Sequence, residues 1–324
     1  MRRAVIDLGT NTFNLLIADT QTRQILFQTK IGVALGLGGI NEKRLSSAAQ
    51  ERAFLALHNF KQHCAQYNVT QINAIGTSAL RDATNADELL NRVEQELQIN
   101  IEVITGQKEA QLIYNGVRLT HDFANPGLIM DIGGGSTEFI CANQDGPQQM
   151  ASFDIGVSRL LQLYDFQDPY SSEDIERVVA FLNQRCAAFF SQTMPSNLIG
   201  ASGSFETFYE LVAREVFNTK GAAVRIDASE FKFMLDHIIC STQAERNANT
   251  HIIEIRKRMA PLAAIKTRWV IKAAQIKNIY ISPYSLKEGV LFSWWKIQVS
   301  SSVFYYLSPC GARTLSMSNI TLCI

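Results

Sequence analysis

The chain has 324 residues, 47% hydrophobic and 19% charged, with 30 Lys plus Arg against 30 Asp plus Glu. That length allows two domains with full cores, and the composition is that of an ordinary globular protein. Zero net charge excludes whole-molecule attraction to nucleic acid or a membrane surface, so an anionic ligand must be gripped by local groups.

The six cysteines (Cys64, Cys141, Cys186, Cys240, Cys310 and Cys323) form no C-x-x-C pair. They read as reduced thiols of a cytoplasmic protein. Arg2-Arg3 runs into Asp7 rather than into an apolar signal core, and the nearest apolar stretch, 290–307, is interrupted by Lys296 and Gln298. Neither a secretory signal nor a membrane span is expected.

In chain order, residues 3–9 read as a buried strand, followed by strands near 14–20 and 25–31. Ala49, Ala53, Phe54, Leu57 and Phe60 recur at helical spacing, predicting a helix over 46–67 capped by Ser46 or Ser47. A strand at 72–76, a helix at 86–97, a strand at 101–104 and a helix from Gly106 to about 119 follow. The pattern then restarts with strands at 128–132, 137–142 and 149–155, and helices at 157–165 and 172–192. A strand at 198–201 runs into Ser202-Gly203-Ser204 and a helix; 227–276 is mostly helical, 278–281 is a strand and 285–296 a last helix. Strands alternating with helices in two similar blocks predict two α/β domains with mixed sheets. The boundary is expected near 120–126, and the Ser-rich stretch 298–324 shows no functional pattern.

Two acidic turns repeat each other. Aligning Asp7-Leu8-Gly9-Thr10-Asn11-Thr12 on Asp131-Ile132-Gly133-Gly134-Gly135-Ser136 sets an offset of 124, and that offset also lays Ile75-Gly76-Thr77-Ser78 on Ile199-Gly200-Ala201-Ser202. A duplicated unit would bring an Asp and a Gly-containing turn from each half to one cleft. Glycines free the backbone to aim N–H groups at an anion, and Ser136 adds a hydroxyl donor. Because a strand follows, the second turn is neither a Walker loop nor a dinucleotide fingerprint. A plain hairpin is the alternative.

Asp7 and Asp131 end apolar strands, where a carboxylate needs a partner or a cation. Asp131 and Glu138 are the candidates for a Mg2+ shell, since Mg2+ takes few carboxylates together with water and phosphate oxygens. Either Asp could instead cap its own turn. Arg81 could clamp phosphate or pair with Asp82 or Asp87 at the surface. Glu109, three residues after Gly106, could act as a general base or merely complement a helix dipole. The histidines give no ligand spacing.

Taken together, AVIDLGTNTFNLLIAD, GTSALRDATN, EVITGQKEAQLIYNGV, LIMDIGGGSTEF, GASGSFET and SPYSLKEGVL resemble the exopolyphosphatase and guanosine-pentaphosphate phosphatase family of the actin, sugar-kinase and Hsp70 superfamily. The resemblance covers residues 1 to about 296. It implies that Glu109 is the catalytic base, with Lys108 replacing the first Glu of the family's paired glutamates. It implies phosphate binding by Arg81 and by the backbone of Gly133 to Ser136, and acidic roles for Asp131 and Glu138. Arg256-Lys257-Arg258 stands where many members carry Arg-Ala-Asp, here without the Asp. The chain is too short for the additional helical domain of larger members, which suggests short polyphosphates or small phosphorylated substrates.

The resulting expectation is an α/β protein of two RNase H-like, actin-like domains around a central cleft. The first would span 1–120, with a returning helix near 285–297, and the second 121–284. Polyphosphate would bind through Asp7, Gly9, Thr10, Asn11, Thr12, Arg81, Gly133, Gly134, Gly135, Ser136, Gly200, Ser202 and Gly203, with Mg2+ on Asp131 and Glu138. Terminal phosphate hydrolysis would follow from Glu109 and Arg81. Guanosine pentaphosphate is the alternative substrate. An ATP-dependent kinase or actin-like ATPase, and a non-catalytic polyphosphate sensor, are the readings from other classes. Homodimer formation is allowed; no nucleic-acid partner is expected.

Overall fold

The computed structural model describes residues 1–22 and 24–297. The expected terminal stretch 298–324, with Cys310 and Cys323, lies outside the described residues. Strand β1 (Arg2–Leu8) pairs antiparallel with β2 (Thr12–Asp19), and β2 with β3 (Gln24–Gly32). Helix α1 (Ser47–Gln66) returns the chain to β4 (Gln71–Gly76), parallel to β1. Helices α2 (Ser78–Asp82) and α3 (Ala86–Leu97) lead to β5 (Ile101–Val103), parallel to β4. Helix α4 (Gly106–Val117) crosses to the second sheet.

There β6 (Gly127–Ile132), β7 (Thr137–Asn143) and β8 (Gly146–Phe153) form another antiparallel meander. Helices α5 (Val157–Leu163) and α6 (Ser172–Phe190) precede β9 (Asn197–Ala201), parallel to β6. The chain continues through α7 (Ser202–Ala213), β10 (Val224–Ile226), α8 (Ala228–Cys240), α9 (Gln243–Ala248) and α10 (Ala260–Ala273). It ends with β11 (Asn278–Ile281), parallel to β9, and α11 (Leu286–Ile297). The sheets run β3-β2-β1-β4-β5 and β10-β11-β9-β6-β7-β8. Read from its meander edge, the second repeats the first and adds β10.

Local chemistry sets these elements. Ser46 caps α1 by accepting from the Ala49 N–H, and Ala49, Ala53, Leu57 and Phe60 form its buried stripe. Every residue of β6 is buried, as expected for a strand covered on both faces.

Period-two alternation assigns the faces. Ala4, Ile6 and Leu8 of β1 pack with α1 and α3 in one core, and Leu128, Met130 and Ile132 of β6 pack with α6, α8 and α10 in another. Val5 and Ile129, on the opposite faces, share a third core with α4 and α11. The two helices therefore lie between the sheets. They approach backbone to backbone, since a Cβ on Gly289 would collide with the Leu112 carbonyl and one on Gly116 with that of Ser285. Asp7 and Asp131 share the inner faces of Val5 and Ile129.

The repeat departs from the sequence offset in one respect. Asp7 pairs with Ile75, whereas Asp131 pairs with Ala201, so Ile199 sits beside Ile129 instead. The parallel strand has slid by two residues, a step that keeps every side chain on its face. The short helix α2 and strand β10 were not anticipated. Cys64, Cys141 and Cys186 are buried free thiols and Cys240 is exposed. No described helix is long and apolar enough to cross a membrane.

Candidate active site

The two glycine turns meet. A Cβ on Gly134 would stand 2.7 Å from the Asn11 side chain, and one on Gly135 would collide with Ser78 Oγ and crowd Thr10 Oγ1. Ser158 Oγ donates to Asn11 Oδ1 at 2.5 Å, tying the tips together. Only residues without a side chain permit this approach.

Each turn has its carbonyls tied down from behind. The first half of α5 supplies N–H groups to the second turn: Val157 to Gly133 O at 3.1 Å, Ser158 to Gly134 O at 2.8 Å and Gly156 to Gly135 O at 3.1 Å. In the first turn, Val33 and Ala34 both donate to Asn11 O at 2.8 Å, and Gly36 donates to Thr10 O at 3.1 Å. Fixing the carbonyls on one side leaves the N–H groups of Gly134 and Gly135 directed elsewhere, the arrangement that suits an anion.

The cleft they border has a cavity volume of about 160 Å³. Asp7, Gly9, Thr10, Asn11, Thr12, Glu109, Asp131, Gly133, Gly134, Gly135, Ser136, Glu138, Ser202 and Gly203 all line it. Two expected ligands do not. Arg81 stands behind Glu109, and its Nη1 donates to Glu109 Oε2 and to the Ile104 carbonyl, each at 3.0 Å. The buried carboxylate claims the guanidinium. Gly200 lies within β9, where the Phe205 ring fills the space a side chain would take. The surface pairing of Arg81 with Asp82 does not form either: Asp82 Oδ2 accepts from Arg159 Nη2 at 2.6 Å, while Arg159 Nε holds Gly135 O at 3.1 Å.

Glu109 lies in the first turn of α4, capped by Thr105 Oγ1, and is buried. Burial, then the negative charge of Glu138, raises its carboxyl well above the ordinary range, against the pull of Arg81. Asp7 rises to about 7, chiefly through burial, although Asn14 Nδ2 donates to it at 2.9 Å. Burial also raises Asp131, opposed by hydrogen bonds from Ser202 Oγ at 2.6 Å and Ser285 Oγ at 2.5 Å. Glu138 rises to about 7 through burial and then Asp131, although Ser152 Oγ donates to it at 2.7 Å. Such shifts mark a carboxylate cluster short of cationic partners.

Asp131 and Glu138 are directly opposed across β6 and β7. Two adjacent hard-oxygen ligands, each retaining acceptor capacity, fit the partial protein shell Mg2+ takes. No larger cage exists, as no group of three or more His, Cys, Asp or Glu fit to hold a metal occurs among the described residues.

Several lining residues were not singled out from sequence. Lys30 Nζ from β3 contacts Glu206 Oε2 at 3.0 Å across the cleft, and Arg256 Nη2 approaches the same oxygen at 3.6 Å. Lys287 Nζ contacts Glu288 Oε1 at 2.9 Å, and Glu288 Oε2 accepts the Ser285 N–H at 2.9 Å. Burial lowers the Lys287 pKa, but the charge and hydrogen bond of Glu288, together with the charges of Glu206 and Asp7, outweigh it and the net shift is upward. The SPYSLKEGVL stretch was the available signal, because its Lys follows a strand end.

The comparisons agree with this architecture. The Ppx/GppA phosphatase family matches residues 16–298. A guanosine-5'-triphosphate,3'-diphosphate pyrophosphatase of Aeromonas salmonicida (strain A449) is 26% identical over 294 residues, 89% of this chain but 58% of that protein. The chain thus spans little more than half the length of that relative. The crystal structure of an exopolyphosphatase from Cytophaga hutchinsonii superimposes with a TM-score of 0.88 at 34% identity, covering 91% of this chain and 98% of that one. The Aquifex aeolicus Ppx/GppA phosphatase, in its type II variant, gives 0.71 at 26% identity over 90% and 99% of the two chains. With its duplicated α/β sheets, its paired turns and a match across most of its length, the chain belongs to the Ppx/GppA phosphatase family.

Proposed function

We propose that this protein is an exopolyphosphatase that hydrolyses the terminal phosphate of inorganic polyphosphate. The observation that carries the reading is the convergence of both turns and the buried Glu109 on one cleft. The likeness to the Cytophaga exopolyphosphatase, at 34% identity over nearly all of that chain, favours polyphosphate over guanosine pentaphosphate.

The terminal phosphate would rest against the N–H groups of Gly134 and Gly135 and the hydroxyls of Ser136 and Thr10. Glu109, aimed by Arg81, accepts the proton of the attacking water. Its raised pKa makes it a stronger base once ionised, and Arg81 keeps the ionised form accessible. Among the described residues, five carboxylates and three cations line the cleft. A polyanion entering such a surface needs added positive charge, which Mg2+ would supply at Asp131 and Glu138.

A kinase reading has less support. In a kinase, adenosine would sit at the Gly200-Ala201-Ser202-Gly203 turn, and here the Arg256 guanidinium lies against Gly203.

Phosphate release should be measured on polyphosphates of defined length, on guanosine pentaphosphate and on ATP with a phosphoryl acceptor, with and without Mg2+. Glu109→Gln should lose about 10²–10⁴-fold in kcat while still binding substrate. Full phosphate release by that variant would remove Glu109 from the mechanism, and phosphate transfer from ATP would replace the hydrolase reading.

A further inference from the structure

Lys266 lies on α10 and is 1% exposed. Its Nζ reaches Thr137 Oγ1 and the Ile155 carbonyl, the latter at 2.7 Å. No carboxylate pairs with it among the described ion pairs. The charged groups facing it are Glu138 from β7 and Asp131 from β6, with the Cys186 thiol from α6. Burial pushes its pKa down to about 7. An ammonium in such a place costs stability, and an apolar side chain of the same length would avoid that cost.

The two atoms it holds bracket the second glycine turn. Thr137 is the first residue after Ser136, where the turn re-enters β7. Ile155 directly precedes Gly156, whose N–H fixes the Gly135 carbonyl at 3.1 Å, and the next two residues fix Gly133 and Gly134. The exit of the turn and the segment that orients its peptides are thus joined through one nitrogen.

We propose that Lys266 is a positioning residue for the Gly133–Ser136 turn, setting from within the core the direction in which the turn's N–H groups face the cleft. This rests on the reading that the turn binds a phosphate of the substrate. Lys266 touches no reacting atom. Its removal should therefore loosen phosphate binding more than it slows the chemistry at Glu109, which hangs from α4.

Lys266→Met keeps the length and adds no polar atom. It should raise KM for short polyphosphate, and the inhibition constant of inorganic phosphate, by about tenfold, with kcat within about threefold, corresponding to about 1.4 kcal/mol. Thr137→Val should give a smaller shift of the same kind, and the double variant should be no worse than Lys266→Met alone. Should Lys266→Met fail to fold, Thr137→Val carries the test by itself. An unchanged KM and phosphate inhibition constant in the folded variants, whatever their melting temperature, would leave Lys266 a packing residue only. No turnover of polyphosphate by the unsubstituted protein would defeat the functional reading instead, so the two failures are distinct.

Discussion

In the first half of the molecule Asp7 lies opposite Asn14, which donates to it at 2.9 Å. In the second half, at the equivalent place, Asp131 lies opposite Glu138. Both pairs sit on inner sheet faces, beside turns whose carbonyls are tied down in similar ways. One repeat offers a carboxylate with a neutral amide donor, the other two adjacent carboxylates. The backbone plan has been kept while the charge has diverged. A single polyanion gripped by both turns would therefore meet the more cation-demanding surface on the second side, and that is where Mg2+ is proposed to sit.

Substitutions at this position separate the halves most sharply. Glu138→Gln makes the second half resemble the first, and Mg2+-dependent turnover should fall on the order of 10²–10³-fold. Asn14→Ala should cost far less. Equal losses, read from kcat/KM over a Mg2+ titration, would dissolve the asymmetry. Next comes the contact between the tips. Gly134→Ala forces Asn11 aside, and a displacement near 1 Å can cost about 10²-fold. A steady-state assay finding unaltered kcat/KM would mean that the tips do not cooperate.

Lys287 tests the shared middle layer, since it lies on α11 between the sheets. Lys287→Met should raise KM by about tenfold and flatten its salt dependence, whereas Lys287→Arg should restore both.

A further effect is on unliganded stability. Asp7 and Glu138 are both raised to about 7, from 3.8 and 4.5. The folded chain therefore keeps protons that the unfolded chain releases. Their stabilising share is complete below about pH 4 and is lost as pH rises to about 7, at no more than about 1.4 kcal/mol per pH unit for each group. Urea unfolding of the Asp7→Asn and Glu138→Gln variants should show each share vanish separately. A slope unaltered in both would mean that the groups are solvated in the folded chain.

Much of this was legible in the chain itself. Each turn follows an apolar strand, and apolar spacing with a capping serine marked α1. The offset of 124 between the turns identified the duplication, because a repeated strand and turn leave the same local signature twice. The offset did not reveal the two-residue slide of β9, since any even shift leaves the pattern of faces intact. Nor could β10, only three residues long, declare itself by periodicity.

The sequence alone determined the alternation that sends Asp7 and Asp131 inward and the glycines that let two backbones touch, both being properties of neighbouring residues. Only the tertiary structure decided that Arg81 would serve Glu109 instead of the cleft wall, that Gly200 would make room for Phe205, and that Lys287 would reach the cleft, and Lys266 the residues flanking its second glycine turn, from distant helices. Those outcomes depend on which charges and surfaces meet after the sheets have stacked, and no local spacing encodes them.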